Sequence, residues 1–274
     1  MRKIFLLLFI SLVFTNLYAQ PPVAPNGKFK TIKGIRLYYE ESGQGVPLIL
    51  LHAFGGNTLM WSGYTEELAK NYHVIAIDLP GHGRSDPMDT TLVYLHKRAA
   101  EYILGLLDEL KIDSAYIMGA SSGGFITMYM ATMRPALAKK IIVIGGQVYY
   151  SAQTRRIISR QNPDDPKADR MPGPDPVLMH GKEKAILLAR QFYNFRQLYG
   201  DPSFTPDVLA TITAKTLIIH GDNDPIAPVQ NAWDMFNNIR GAHLWVVPGG
   251  GHLPFLDPAN KADFTRRVED FLTK

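Results

Sequence analysis

The chain has 274 residues, of which 46% are apolar, 11% aromatic and 20% charged, enough to bury a sizeable core and too mixed for a disordered tail or a coiled coil. Lys and Arg total 29 against 25 Asp and Glu, a net charge of +4, and no basic run exceeds two residues, which argues against a nucleic-acid surface. Cysteine is absent, and that excludes disulfides, thiol nucleophiles, iron–sulfur clusters and cysteine-based zinc sites.

Arg2 and Lys3 precede an apolar run over 4–14, after which the chain turns polar at Thr15 and Asn16 and reaches Tyr18, Ala19 and Gln20. This layout predicts a signal peptide over 1–19 with cleavage near Ala19, because the run is shorter than the ~20 residues that span a bilayer. The mature protein is then expected to be exported, periplasmic or secreted, without a stable membrane anchor.

Two short segments, 29–32 and 35–39, flank Lys33 and Gly34 and predict an antiparallel hairpin at a sheet edge. Brief runs rich in branched residues follow at 48–51, 74–77, 115–118, 141–144, 216–219 and 244–247, as expected of strands buried on both faces. Between the second and third of these, Leu92, Leu95, Ala99, Ile103, Leu106 and Leu110 recur every three or four residues and predict a helix. The alternation points to an α/β fold, a mostly parallel sheet with helices on both faces.

Residues 147–205 break the pattern. Five of the 19 prolines fall at Pro163, Pro166, Pro172, Pro174 and Pro176, which precludes a continuous helix. An inserted cap is expected here, helical over 151–160 and again along a stripe of Leu188, Phe192, Phe195 and Tyr199. The chain thus divides into a body over 20–146, the cap over 147–205 and the rest of the body over 206–274.

After the strand at 115–118 comes Gly119, Ala120, Ser121, Ser122, Gly123, Gly124 and then a helical run, which is GxSxG in its strand-turn-helix setting. Glycine two residues to either side of Ser121 removes side chains that would collide around so sharp a turn, and the free amides of the helix start favour negative charge. Ser121 is the expected nucleophile. His252, on the Gly249-Gly250-Gly251 loop after the last strand, is the expected base, ahead of His52, His82, His220 and His243. Asp222 and Asp224, just past the strand at 216–219, compete as the acid that orients it. Asp224 is preferred, since Asp222 reads as a turn residue.

These motifs together resemble the α/β-hydrolase superfamily over nearly the whole mature chain. The stretches at 52–56 (HAFGG), 78–86 (DLPGHGRSD), 119–124 (GASSGG), 217–224 (LIIHGDND) and 251–254 (GHLP) carry the likeness. The resemblance implies an eight-stranded sheet with its second strand antiparallel, a cap after the sixth strand, and no cofactor; no metal site is expected, since neither His52 nor His82 has a carboxylate or second histidine at ligand spacing. It also implies an oxyanion hole made by the amides of Phe54 and Ser122, and a structural role for His82. Ala53 departs from the glycine usual after the oxyanion-loop histidine, and its methyl group would penalise a positive φ. The implied activity is hydrolysis of a small carboxylic ester. Met171, Met179, Phe192 and Tyr193 suggest an apolar or aryl portion in that substrate. Carbon–carbon bond hydrolases, cofactor-free perhydrolases and non-catalytic binding proteins share the same residue set.

Overall fold

A computed structural model describes residues 23–89, 91–167 and 174–274, so the expected signal peptide at 1–19 and Met171 lie outside the described residues. The first hairpin joins β1 (Gly27–Ile32) and β2 (Ile35–Ser42). Its two-residue turn holds Lys33 at φ 46° and Gly34 at φ 89°, the doubly left-handed turn that matches the twist of paired strands.

Six further strands complete the sheet: β3 (Val46–Leu51), β4 (Tyr72–Ile77), β5 (Ala115–Ala120), β6 (Ala138–Ile144), β7 (Lys215–Gly221) and β8 (His243–Val247). Their order is β1-β2-β4-β3-β5-β6-β7-β8. β2 runs antiparallel to both neighbours, and all other pairs from β4 to β8 are parallel.

The apolar runs have a simple cause. In β3, Leu48 and Leu50 join one buried cluster while Ile49 and Leu51 join another, and β6 divides in the same way into Ile142 and Ile144 against Ile141 and Val143. These central strands therefore feed two cores, and neither of their faces accommodates polar residues. One face is covered by α1 (Ser62–Leu68) and the carboxyl-terminal helix, Lys261–Thr273, through Tyr64, Leu68, Phe264 and Val268. The other is covered by α2 (His96–Glu109) and α3 (Ser122–Met133), with Ala232 and Met235 of the helix at Gln230–Asn238.

Between β6 and β7 lie α4 (Ala152–Ile158), α5 (Pro176–His180), α6 (Lys182–Asn194) and the short α7 (Pro206–Ala210). Three helical details differ from the sequence reading. α2 begins at His96 rather than near Leu92, because Leu95 is extended and the Asp201 carboxylate takes the first free amide, that of His96. Leu92 and Leu95 are exposed. α5 was hidden by Pro176, which occupies the first helical position, where proline needs no donor, beside the capping side chain of Asp175. The stripe in α6 stops early: Phe195 begins a separate 3-10 turn, and Tyr199 is exposed with the Arg155 guanidinium stacked 3.9 Å from its ring. Among the described residues no helix is long and apolar enough to cross a membrane.

Candidate active site

The register of the parallel strands aligns their carboxyl ends: Leu51 pairs with Gly119, Ala120 with Ile144, Ile144 with Ile219, and Gly221 with Val247. The loops that follow these strands converge at one edge, the usual place for a site in an open parallel sheet.

Ser121 stands between β5 and α3 at φ 51°, ψ −115°, a conformation that side chains rarely adopt. Its amide donates to Ile144 O at 2.7 Å, anchoring the turn to the neighbouring strand. The flanking glycines are sterically required. A Cβ on Gly119 would lie 2.2 Å from Gly123 O, and one on Gly123 would lie 2.2 Å from Leu51 O. The helix start is thus pressed against the end of β3, which leaves Ser121 partly accessible while Ser122 through Met130 are buried.

The structure brings Ser121, His252 and Asp224 together. His252 Nε2 lies 2.9 Å from Ser121 Oγ, and Nδ1 lies 2.7 Å from Asp224 Oδ2. A carboxylate only accepts, so Nδ1 carries the proton and Nε2 is left to accept from the serine hydroxyl. Asp224 Oδ1 takes the amides of Ile226 and Ala227 at 2.8 and 2.9 Å. Burial alone would raise this carboxyl, but the hydrogen bond and charge of His252 and the Ala227 amide outweigh it, and its pKa falls below the ordinary value of 3.8. Asp222 accepts from the amide of Gly249 at 2.7 Å. It secures the loop that carries His252 rather than turning on its own backbone.

The other histidines are occupied elsewhere. His52 Nε2 accepts from the Leu79 amide at 2.9 Å, so its Nδ1 donates to Ala53 O at 2.7 Å. His82 Nδ1 lies 3.1 Å from Pro80 O, within the loop that carries it. His220 Nε2 donates to Ala227 O at 2.9 Å, behind Asp224. His243 sits at the amino end of β8, away from the strand ends that carry the site.

The amides of Phe54 and Ser122 have no acceptor among the described residues. Ala53 does not strain the loop between them: its φ is not positive, and the left-handed conformation falls on Gly55 at φ 75°. Ala53 O instead receives the Gly56 amide at 3.0 Å, and a Cβ on Gly56 would come within 2.9 Å of Met60 Cε.

A narrow cleft beside Ser121 and His252 is lined by Phe125, Tyr150, Ile158, Phe192, Phe195 and Ile226. Of the cap residues singled out in the sequence, Phe192 reaches it; Met179 and Tyr193 are not among its walls. Gln147 also lines it, and sequence patterning gave no sign of that residue or of Tyr150. Beyond the wall lies a buried polar group that sequence reading also missed, His96 and Asp201 against the hydroxyl of Ser122. Among the described residues there is no cluster of three or more metal-ligating side chains.

An eight-stranded, largely parallel sheet with a strained serine turn at its carboxyl edge and an imidazole and carboxylate in line behind the hydroxyl defines an α/β fold built for hydrolysis. The chain belongs to the alpha/beta hydrolase family, whose model matches residues 48–264, and it is a hydrolase of that fold. It is 26% identical to the serine hydrolase BPHL of Mus musculus over 264 residues, covering 92% of this chain and 89% of that protein. It is 28% identical to the 2-hydroxymuconate semialdehyde hydrolase of Pseudomonas sp. (strain CF600) over 263 residues, covering 88% and 92%. Among solved structures, a membrane phospholipase A described as a bacterial virulence factor superposes with a TM-score of 0.76 at 23% identity, covering 90% of this chain and 85% of that one, a likeness of fold.

Proposed function

We propose that this hydrolase cleaves small carboxylic esters through an acyl-enzyme formed on Ser121. The observation that carries the reading is the continuous line from Ser121 Oγ through His252 to Asp224, at 2.9 and 2.7 Å. As Ser121 Oγ bonds to the ester carbonyl carbon, its proton passes to His252 Nε2 and Asp224 stabilises the imidazolium. The carbonyl oxygen becomes an oxyanion, held by the amides of Phe54 and Ser122 where the α3 amino terminus favours negative charge. The carbon–oxygen bond to the alcohol then breaks, and His252 returns the proton to the leaving oxygen. Water repeats the sequence against the acyl-enzyme, with His252 as base, and releases the acid.

The lining of the cleft favours an ester over a ring-cleavage product. Apart from Ser121, Ser122 and His252 it is mainly aromatic and aliphatic, with Gln147 and Thr154 as neutral polar members and no Lys or Arg among its described residues. A ring-cleavage product carries a carboxylate, which such a wall would leave without a cation, whereas the acyl or aryl portion of a neutral ester gains from burial there. Residues 147–205 act in this reading as a cap over the cleft. The first 19 residues direct export, and the amino-terminal sequence of the secreted or periplasmic protein tests that separately.

The test of the reaction uses p-nitrophenyl butyrate with the wild type and Ser121→Ala, and mass spectrometry after a fluorophosphonate. Turnover should fall by about 10⁴ to 10⁶ in the variant, with the adduct on Ser121 in the wild type. Undiminished turnover, or an adduct elsewhere, ends the reading.

A further inference from the structure

His180, at the end of α5 in the cap, is not a member of the triad, yet both of its ring nitrogens are bonded to the body. Nε2 lies 3.0 Å from Gly55 O and Nδ1 lies 2.8 Å from the Gly83 amide. A carbonyl can only accept and an amide can only donate, so the tautomer is forced: Nε2 carries the proton and donates to Gly55, while Nδ1 accepts from Gly83.

Gly55 adjoins Phe54, and the bonds continue from one to the other. The peptide unit that presents Gly55 O also presents the Gly56 amide, which donates to Ala53 O at 3.0 Å. The peptide unit that presents Ala53 O also presents the amide of Phe54. Two peptide groups therefore stand in series between the His180 ring and the Phe54 N–H. In such a chain each carbonyl that accepts a hydrogen bond makes the N–H of its own peptide a stronger donor. Nothing steric performs the same task at Gly55, where an added Cβ would meet no atom within 4 Å.

We propose that His180 is a positioning residue for the oxyanion hole: by donating to Gly55 O it orients and polarises the Phe54 amide through the two intervening peptide groups. The proposal rests on the reading of Phe54 as an oxyanion donor. The surroundings support it. His180 is 1% exposed, and burial lowers its pKa to about 4, which keeps Nδ1 free to accept. Lys184, one turn further along the cap, donates to Gly83 O and Ser85 O at 2.5 and 3.0 Å, so the cap grips Gly83 by both its amide and its carbonyl. The Phe54 ring itself packs on the cap, against Phe195 at 5.0 Å and Phe192 at 5.8 Å.

The experiment compares three variants on p-nitrophenyl butyrate, with phenylboronic acid as the probe of the oxyanion hole, since it forms a tetrahedral adduct on an active-site serine. His180→Phe keeps the ring volume and removes both hydrogen bonds. It should lower kcat about tenfold and weaken phenylboronic acid by a similar factor, with KM within twofold. His180→Gln places an amide donor near Gly55 O and should recover most of the lost kcat. Lys184→Met loosens the grip of the cap on the 78–86 loop without touching Gly55, and should leave kcat and boronic acid inhibition within twofold. Wild-type values in His180→Phe overturn the proposal. So does an equal fall of kcat in Lys184→Met and His180→Phe, which would mean that His180 merely seats the cap. Should His180→Phe not fold, His180→Ala takes its place with the same expectations. Failure of the fluorophosphonate to label Ser121 in the wild type is a different result and removes the underlying reading instead.

Discussion

His96 Nε2 lies 3.0 Å from the hydroxyl of Ser122, the residue next to the proposed nucleophile, and His96 Nδ1 lies 3.4 Å from Asp201. A second serine, imidazole and carboxylate therefore stand beside the first. The two arrays differ in access. His96 is fully buried and Asp201 nearly so, and Asp201 also accepts the amide that opens α2. Burial without access suits a strut behind the helix start rather than a nucleophile. Asp201 has no Lys or Arg against it in any described ion pair; the His96 ring and the Tyr129 hydroxyl are the side chains that meet its carboxylate.

That arrangement predicts coupling. His96→Phe should cost about 3 kcal/mol, because it leaves a buried carboxylate without its imidazole. Asp201→Asn, which keeps an acceptor for the α2 amide, should cost less, and the double variant should be more stable than the sum of the two losses implies. Urea denaturation of the four proteins measures this. Strict additivity would show that the two side chains do not sense each other.

The two carboxylates after β7 should separate cleanly in kinetics. Asp224→Asn replaces an acceptor with an amide that cannot hold the His252 tautomer and also serve the Ile226 and Ala227 amides, so kcat should fall by about 10⁴. Asp222→Asn keeps an oxygen for the Gly249 amide and should stay within a few-fold of the wild type. Turnover of p-nitrophenyl butyrate decides. A greater loss in Asp222→Asn would move the acid to that residue.

Three glycines near the serine turn should rank by the space around them. Alanine at Gly119 or Gly123 forces a Cβ to 2.2 Å from backbone oxygen and should cost more than about 3 kcal/mol or prevent folding. At Gly124 the nearest atoms are Val143 Cγ1 at 3.1 Å and Gly119 O at 3.3 Å, so Gly124→Ala should cost less than either. Thermal unfolding of the purified variants gives the order, and a Gly123→Ala protein as stable as the wild type would contradict the packing of α3 against β3.

Buried neutral histidines set an acid limit. Burial lowers His52 and His180 to about 4, and it also lowers His82 and His220. The unfolded chain takes up protons at these positions below the ordinary value of 6.5, whereas the folded chain does not. Their contribution is therefore fully present above pH 6.5 and is lost as pH falls toward 4, on the order of 3 kcal/mol each for His52 and His180. Urea midpoints between pH 7.5 and 4.5 should decline across that window. A flat profile would mean that these rings are protonated in the folded protein or exposed.

The sequence by itself determined the sheet, because strands buried on both faces must be continuously apolar, and it located the loops at 119–124, 217–224 and 251–254, because each follows such a strand directly. Ser121, Asp224 and His252 were legible for that reason: chain order ties each to a strand end, and parallel strands align their ends. Tertiary structure alone decided what surrounds them. His96 meets Asp201 across 105 positions of sequence and His180 meets Gly55 across 125. Such bonds depend on where two surfaces come to rest after packing, and a single polar side chain has no period by which its partner could be read. The same holds for α5, whose proline looks like a breaker until the Asp175 cap shows it to be the first residue of a helix.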